Sequence, residues 1–114
     1  MKIKKFNVYL ADLSPRFGTE TGKTRPVVIL QTNLLNDAGH PSTVVCPITT
    51  QVVRGSDILR VHLSKTEVSL KRDSDILVDQ IRAIDNRRFV RHLGELTQAH
   101  KQKLADNLKV LLFE

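Results

Sequence analysis

Arg25 opens the apolar run Pro26-Val27-Val28-Ile29-Leu30, and a second run, Val44-Val45-Cys46-Pro47-Ile48, ends in Thr49, Thr50 and Gln51. A permanent cation thus stands at one strand end and hydroxyls at another. A guanidinium is charged at any working pH and forks onto two phosphate oxygens, while a nearby hydroxyl donates or relays a proton. Such a pair would act on a phosphodiester without a metal. Rival chemistries lack parts. Cys46 is the only cysteine, so no internal disulfide forms and zinc finds no thiolate cluster. In its apolar run it reads as a small buried hydrophobe rather than a nucleophile. Ser56 and Ser74 have no adjacent histidine to serve as base.

The charge balance points the same way. Eighteen Lys and Arg against 12 Asp and Glu give a net charge of +6, and the pI is near 9.8. A polyanionic partner follows, either nucleic acid or an acidic protein segment. One Tyr, four Phe and no Trp exclude a wide aromatic stacking platform, so recognition rests on charge and edge hydrogen bonds. For a single strand, each neutralised phosphate then contributes about −0.7 to the slope of log affinity against log salt.

The 114 residues suffice for one core and one domain, residues 1–114, with no repeat, linker or low-complexity tract. The N-terminus, Met1-Lys2-Ile3-Lys4-Lys5-Phe6, lacks the apolar stretch of a signal peptide or membrane span, so a cytoplasmic protein is expected. Val8-Tyr9-Leu10-Ala11-Asp12-Leu13 reads as a first strand closed by Ser14-Pro15, because proline cannot donate to a ladder. Residues 14–24 form a loop. The β-branched run after Arg25 suits a strand covered on both faces. Residues 33–42 carry turn chemistry, and residues 43–48 form the next strand. Ile58-Leu59-Arg60-Val61-His62-Leu63 alternates, which places His62 toward water, and residues 75–84 read as one longer buried strand. Asp85-Asn86-Arg87-Arg88-Phe89 is a turn or short helix, and residues 90–96 are a last strand carrying Gly94. Thr97 N-caps a terminal helix whose Leu104, Ala105, Leu108, Leu111 and Leu112 recur at three- and four-residue spacing. Five or six strands and one helix predict a mainly β chain with a C-terminal helix, folded as a small, partly closed antiparallel barrel.

Five segments in register resemble the MazF/PemK (Kid-like) toxins of bacterial type II toxin–antitoxin systems over nearly the whole length. They are Val8-Tyr9-Leu10-Ala11-Asp12-Leu13-Ser14-Pro15, Gly18-Thr19-Glu20, Lys23-Thr24-Arg25-Pro26-Val27-Val28-Ile29-Leu30, Pro47-Ile48-Thr49 and Asp79-Gln80-Ile81-Arg82-Ala83-Ile84-Asp85. The resemblance implies a homodimer of SH3-like barrels, an mRNA interferase that cuts single-stranded RNA at a short sequence. It also implies silencing by a cognate antitoxin with an acidic C-terminal tail. It assigns catalysis to Arg25 and Thr49 without a metal or cofactor, through attack of the RNA 2′-hydroxyl that leaves a 2′,3′-cyclic phosphate and a 5′-hydroxyl.

It also implies that the loop before Arg25 holds RNA and is displaced by antitoxin. Arg16 and Lys23 are then candidate phosphate contacts, with a solvated surface as the alternative, and Phe17 is a stacking platform or a packing residue. Thr50 and Gln51 join the RNA-binding set. Gln80 and Arg82, two apart on a strand, share a face that would line the groove; the alternative for Arg82 is an ion pair with Asp79 or Asp85. Arg87, Arg88, Arg91 and His92 form a basic cluster, a solvated face by default or a surface for RNA or an acidic tail. Some relatives place a histidine directly before the arginine, where this chain has Thr24. The general base is therefore unassigned, since His40, His62, His92 and His100 lie outside the motif. Two alternatives stand beside the nuclease. A CcdB-like gyrase poison shares the barrel but engages its target through a C-terminal tryptophan that this chain lacks. A degenerate relative would only bind RNA or antitoxin.

Overall fold

The structure is a computed structural model that describes residues 1–15, 17–20 and 22–114. Among the described residues seven strands, two α-helices and two short 3-10 turns follow in the order β1 (Asn7–Asp12), β2 (Thr24–Ile29), α1 (Asn33–Asp37), β3 (Ser42–Thr49), β4 (Arg60–Leu63), a turn at Glu67–Ser69, β5 (Ser74–Leu77), β6 (Arg82–Asp85), a turn at Asn86–Arg88, β7 (Phe89–Glu95) and α2 (Gln98–Phe113). All ladders are antiparallel, and the path runs β4-β5-β3-β2-β1-β7 with β6 also on β3. The chain is thus mainly antiparallel β with a C-terminal helix, as expected. Among the described residues β4 and β7 share no ladder, so the sheet is not closed into a ring.

Strand alternation sorts the apolar side chains into two clusters. Val8, Val28, Cys46, Ile48, Val61, Leu63, Ile76 and Leu104 pack in one, and Ile3, Tyr9, Ala11, Val27, Ile29, Val45 and Ile84 in the other. Consecutive residues of β2 therefore point into opposite clusters, as the unbroken apolar run after Arg25 predicts. The first cluster joins residues of β1 to β5 with α2, which curls the sheet around a shared core.

Four expectations change. The expected strand over residues 75–84 is two, β5 and β6, separated by a turn in which the Gln80 N–H donates to Leu77 O at 3.1 Å. Both halves pair with the same edge of β3: β6 with Ser42 to Val45, β5 with Ile48 and Thr49. The turn lets the chain follow β3 as it passes between the two halves of the fold, and raises the strand count from five or six to seven. Residues 33–42 contain a one-turn helix, α1, whose Leu34 N–H donates to Thr32 Oγ1 at 3.3 Å. The alternating strand begins only at Arg60, with Ile58 and Leu59 exposed before it. On α2 only Leu104 and Leu108 reach the core, while Ala105, Leu111 and Leu112 are exposed and Asn107 is buried, its Nδ2 donating to Asp57 O at 2.9 Å. The cap itself is as expected, with the His100 N–H donating to Thr97 Oγ1.

Candidate active-site groove

Adjacent strands bring the reactive residues to one groove. The β2–β3 ladder ends at the pair Val27 and Pro47, and beyond that end Arg25 on β2 and Thr49 on β3 line one groove. Thr49 in turn lies opposite Asp75, and Asp75 opposite His62. Directly opposed residues share a sheet face, so Thr49, Asp75 and His62 form one row across three strands. Their neighbours Ile48, Val61 and Ile76 point the other way, into the core.

At the Thr49 end of this row lies a groove of about 690 Å³. Its lining includes Lys23, Arg25, Thr49, Thr50, Gln51 and Gln80, six of the residues singled out in the sequence. The loop after β1 roofs one side with Thr19 and Glu20. It is pinned at its base, where the Leu13 N–H donates to Lys23 O at 2.8 Å and Arg88 Nη1 donates to Ser14 O at 2.6 Å. At its tip Gln80 Nε2 donates across the groove to Thr19 O at 3.3 Å. Arg25 Nε donates to Gly22 O at 2.9 Å, which orients the half-buried guanidinium. Lys23, two residues earlier, holds φ +65, a left-handed conformation unusual for a non-glycine residue. Thr49 Oγ1 accepts from the Gln51 N–H at 3.1 Å, so its own O–H remains a donor.

The other sequence candidates fall elsewhere. Phe17 is 68% exposed, so its ring is not a packing residue, and it stands outside the groove lining. Gln80 lies in the turn before β6 and shares no strand with Arg82, which lies outside the lining opposite Val45. Arg16 lies outside the described residues. Asp85 pairs with Arg87, whose guanidinium holds that carboxyl down at about 2. Within the basic cluster, Arg88 is not merely solvated: it also donates to Asp12 O at 2.9 Å. Cys46 is buried, and burial, followed by the Asp79 charge, pushes its thiol up to about 12.

Four side chains take roles that the sequence did not give them. Asp75 has no exposed side-chain surface, yet it accepts from the Val53 N–H at 2.9 Å, from Arg60 Nη1 at 3.0 Å and pairs with His62 Nδ1 at 2.6 Å. Burial raises its pKa, but these donors together outweigh burial and hold it below the ordinary value. His62 therefore does not simply face water; the Asp75 carboxylate opposite it on β5 draws the ring in. Arg60 lines the groove, and Glu20 is the one carboxylate among the lining residues. The sequence signal for the Asp75 cluster was an acid inside an apolar strand, Ser74-Asp75-Ile76-Leu77, which demands a buried partner.

Residues 4–112 match the model of the PemK-like, MazF-like toxins of type II toxin–antitoxin systems. The chain belongs to that family. Endoribonuclease EndoA of Bacillus subtilis is 35% identical over 98% of this chain and 96% of its own length. MazF from Deinococcus radiodurans superposes with a TM-score of 0.82 over 100% of this chain and 99% of that one, at 23% identity. The MazE–MazF complex structure from the same organism gives 0.77 at 21% identity, covering 98% and 97%. Among the described residues no group of three His, Cys, Asp or Glu side chains is placed to hold a metal, and no helix is long and apolar enough to cross a membrane.

Proposed function

We propose that this toxin is a cytoplasmic, sequence-specific endoribonuclease that cuts single-stranded RNA in the groove above Arg25 and Thr49, using protein groups alone. The observation that carries it is a guanidinium and a donor hydroxyl lining one groove with the further cations Lys23 and Arg60, in a chain 35% identical to an endoribonuclease. The RNA 2′-oxygen attacks the adjacent phosphorus, the bond to the 5′-oxygen breaks, and a 2′,3′-cyclic phosphate and a 5′-hydroxyl result. Arg25 forks onto the non-bridging oxygens as their charge grows, and Thr49 donates its O–H to one of them. Glu20, the groove's carboxylate, takes the 2′-proton, and solvent water in the open groove gives one to the departing 5′-oxygen. Lys23, Thr50, Gln51 and Gln80 line the path of the strand, and exposed Phe17 offers a stacking face at its rim.

An antitoxin partner belongs to the same proposal, supported by the MazE-bound relative and by the net charge of +6 that suits an acidic tail. So does a homodimer, for which exposed Leu34, Leu112 and Phe113 supply apolar surface. The deciding experiment incubates the protein with a long single-stranded RNA in EDTA, maps the cuts, and repeats with Arg25→Ala and Thr49→Ala. Loss of one transition-state donor should lower kcat about 10²- to 10³-fold. Undiminished cutting by both variants would refute the site, and cutting that needs magnesium would refute the metal-free chemistry. A substrate with one deoxynucleotide 5′ to a mapped cut should survive at that bond.

A further inference from the structure

We infer that Arg60 is a second phosphate-binding residue of the groove, held in place by Asp75 and His62, and that it grips the RNA at a phosphate beside the one being cut. The inference rests on the endoribonuclease reading and extends it to a residue on β4, outside the segments that mark the family likeness.

The geometry separates the two halves of the pair. The Asp75 carboxylate has no exposed side-chain surface, whereas the Arg60 side chain is 19% exposed and lines the groove. An approaching strand therefore meets the cation and not its counter-ion. Both hydrogen bonds that Arg60 makes among the described residues, to Asp75 Oδ2 at 3.0 Å and to Gln51 O at 2.9 Å, use Nη1. Nε and Nη2 keep three N–H groups in the planar fork that matches two phosphate oxygens.

Asp75 acts as a positioning residue. One oxygen takes Arg60 and the Val53 N–H, the other takes His62, so the carboxylate ties β4 to the segment that leaves Thr49. The His62 bond fixes the carboxylate's rotation, and that rotation aims Oδ2 at Arg60. β4 lies two strand positions from β3 in the sheet, about 10 Å at the usual spacing. A phosphate on Arg60 is thus a neighbour of the one between Arg25 and Thr49, and its loss should appear in substrate binding rather than in the chemical step.

The test uses an RNA spanning a mapped cut, with one deoxynucleotide 5′ to that bond, and measures Kd by fluorescence anisotropy across a series of KCl concentrations. Alongside it, kcat and KM are measured on the cleavable RNA. For Arg60→Gln the expected result is a rise in Kd and KM of about 10- to 100-fold, the span for one charge-assisted hydrogen bond. The slope of log affinity against log salt should be shallower by about 0.7, and kcat should change little. Arg60→Lys should restore the slope while recovering only part of the affinity. Should Arg60→Gln fail to fold around an unpaired Asp75, the double variant Arg60→Gln/Asp75→Asn removes both charges and carries the same expectation for Kd and for the salt slope. A slope and KM equal to wild type, or a fall confined to kcat, would overturn the inference. Wild-type protein that leaves RNA intact would instead defeat the nuclease reading itself.

Discussion

Replacing Asp75 by Asn tests the buried cluster that the site is built on, and its cost follows from the contacts. The wild-type carboxylate accepts three donors within 3.0 Å and has no exposed side-chain surface. Asparagine keeps one acceptor oxygen and turns its other end into a donor, which faces the donors of Val53 and Arg60 or that of His62. Each stranded buried donor costs about 1 to 3 kcal/mol. Arg60 and His62 are partly exposed, at 19% and 30%, and can turn toward water, so only the Val53 N–H bears the full penalty. The sum comes to about 2 to 4 kcal/mol, below the ~3 to 5 for breaking a fully buried ion pair. With a urea slope of about 2 kcal/mol per molar, mid-range for a small domain, the unfolding midpoint should fall by about 1 to 2 M at pH 7. The pH dependence gives a second reading. The folded pKa of Asp75 is depressed, so its stabilisation is complete above the ordinary value of 3.8 and disappears as pH falls through the lower folded value. The gap between wild type and variant should hold from pH 7 to about 5 and close below the ordinary value. Asp85, also depressed, is present in both proteins and cancels. Equal midpoints at pH 7, or a gap that persists undiminished into strong acid, would refute the account.

Two further substitutable or reactive positions give independent checks. A Cβ at Gly94 would stand 3.1 Å from Val68 Cγ1 and 3.2 Å from Val68 Cα; because the second atom is backbone, Gly94→Ala should cost about 1 to 3 kcal/mol of overpacking in urea unfolding, and an unchanged midpoint would show the Val68 turn to be yielding. Cys46, with its thiol near 12 and its side chain buried, should resist thiol reagents at pH 8 in the folded protein and react fully in urea. Rapid labelling of the native state would place it at the surface.

Elements whose signals are local were legible in the sequence. β1, β2, β3 and the capped start of α2 each carry a contiguous apolar pattern and a terminating proline or threonine, and each lies within a residue or two of its expected bounds. Misreadings came where tertiary pairing overrode local pattern. Nothing within residues 75–84 announces a break, because residues 76–78 are as apolar as a continuous strand; the break exists because β3 offers the chain two separate stretches of edge to pair with. Leu111 and Leu112 fit a helical apolar stripe, yet α2 reaches past the core that Leu104 and Leu108 fill.

The same division runs through the groove. Arg25, Thr49 and Lys23 were legible because each sits at a strand boundary, where a polar side chain next to an apolar run has little packing to do. Arg60, Asp75 and His62 were not, since their meeting depends on the β4–β5 register, and that register follows from burying Val61 and Leu63 beside Ile76 on the opposite face. A slip by one residue would move all three polar groups into the core and the three apolar ones into the groove. The hydrophobic face of β4 and β5 therefore dictates the electrostatics of the groove floor. Changes that weaken packing on the core side, with no contact to RNA, should loosen Arg60 and the segment after Thr49 together, because one carboxylate holds both.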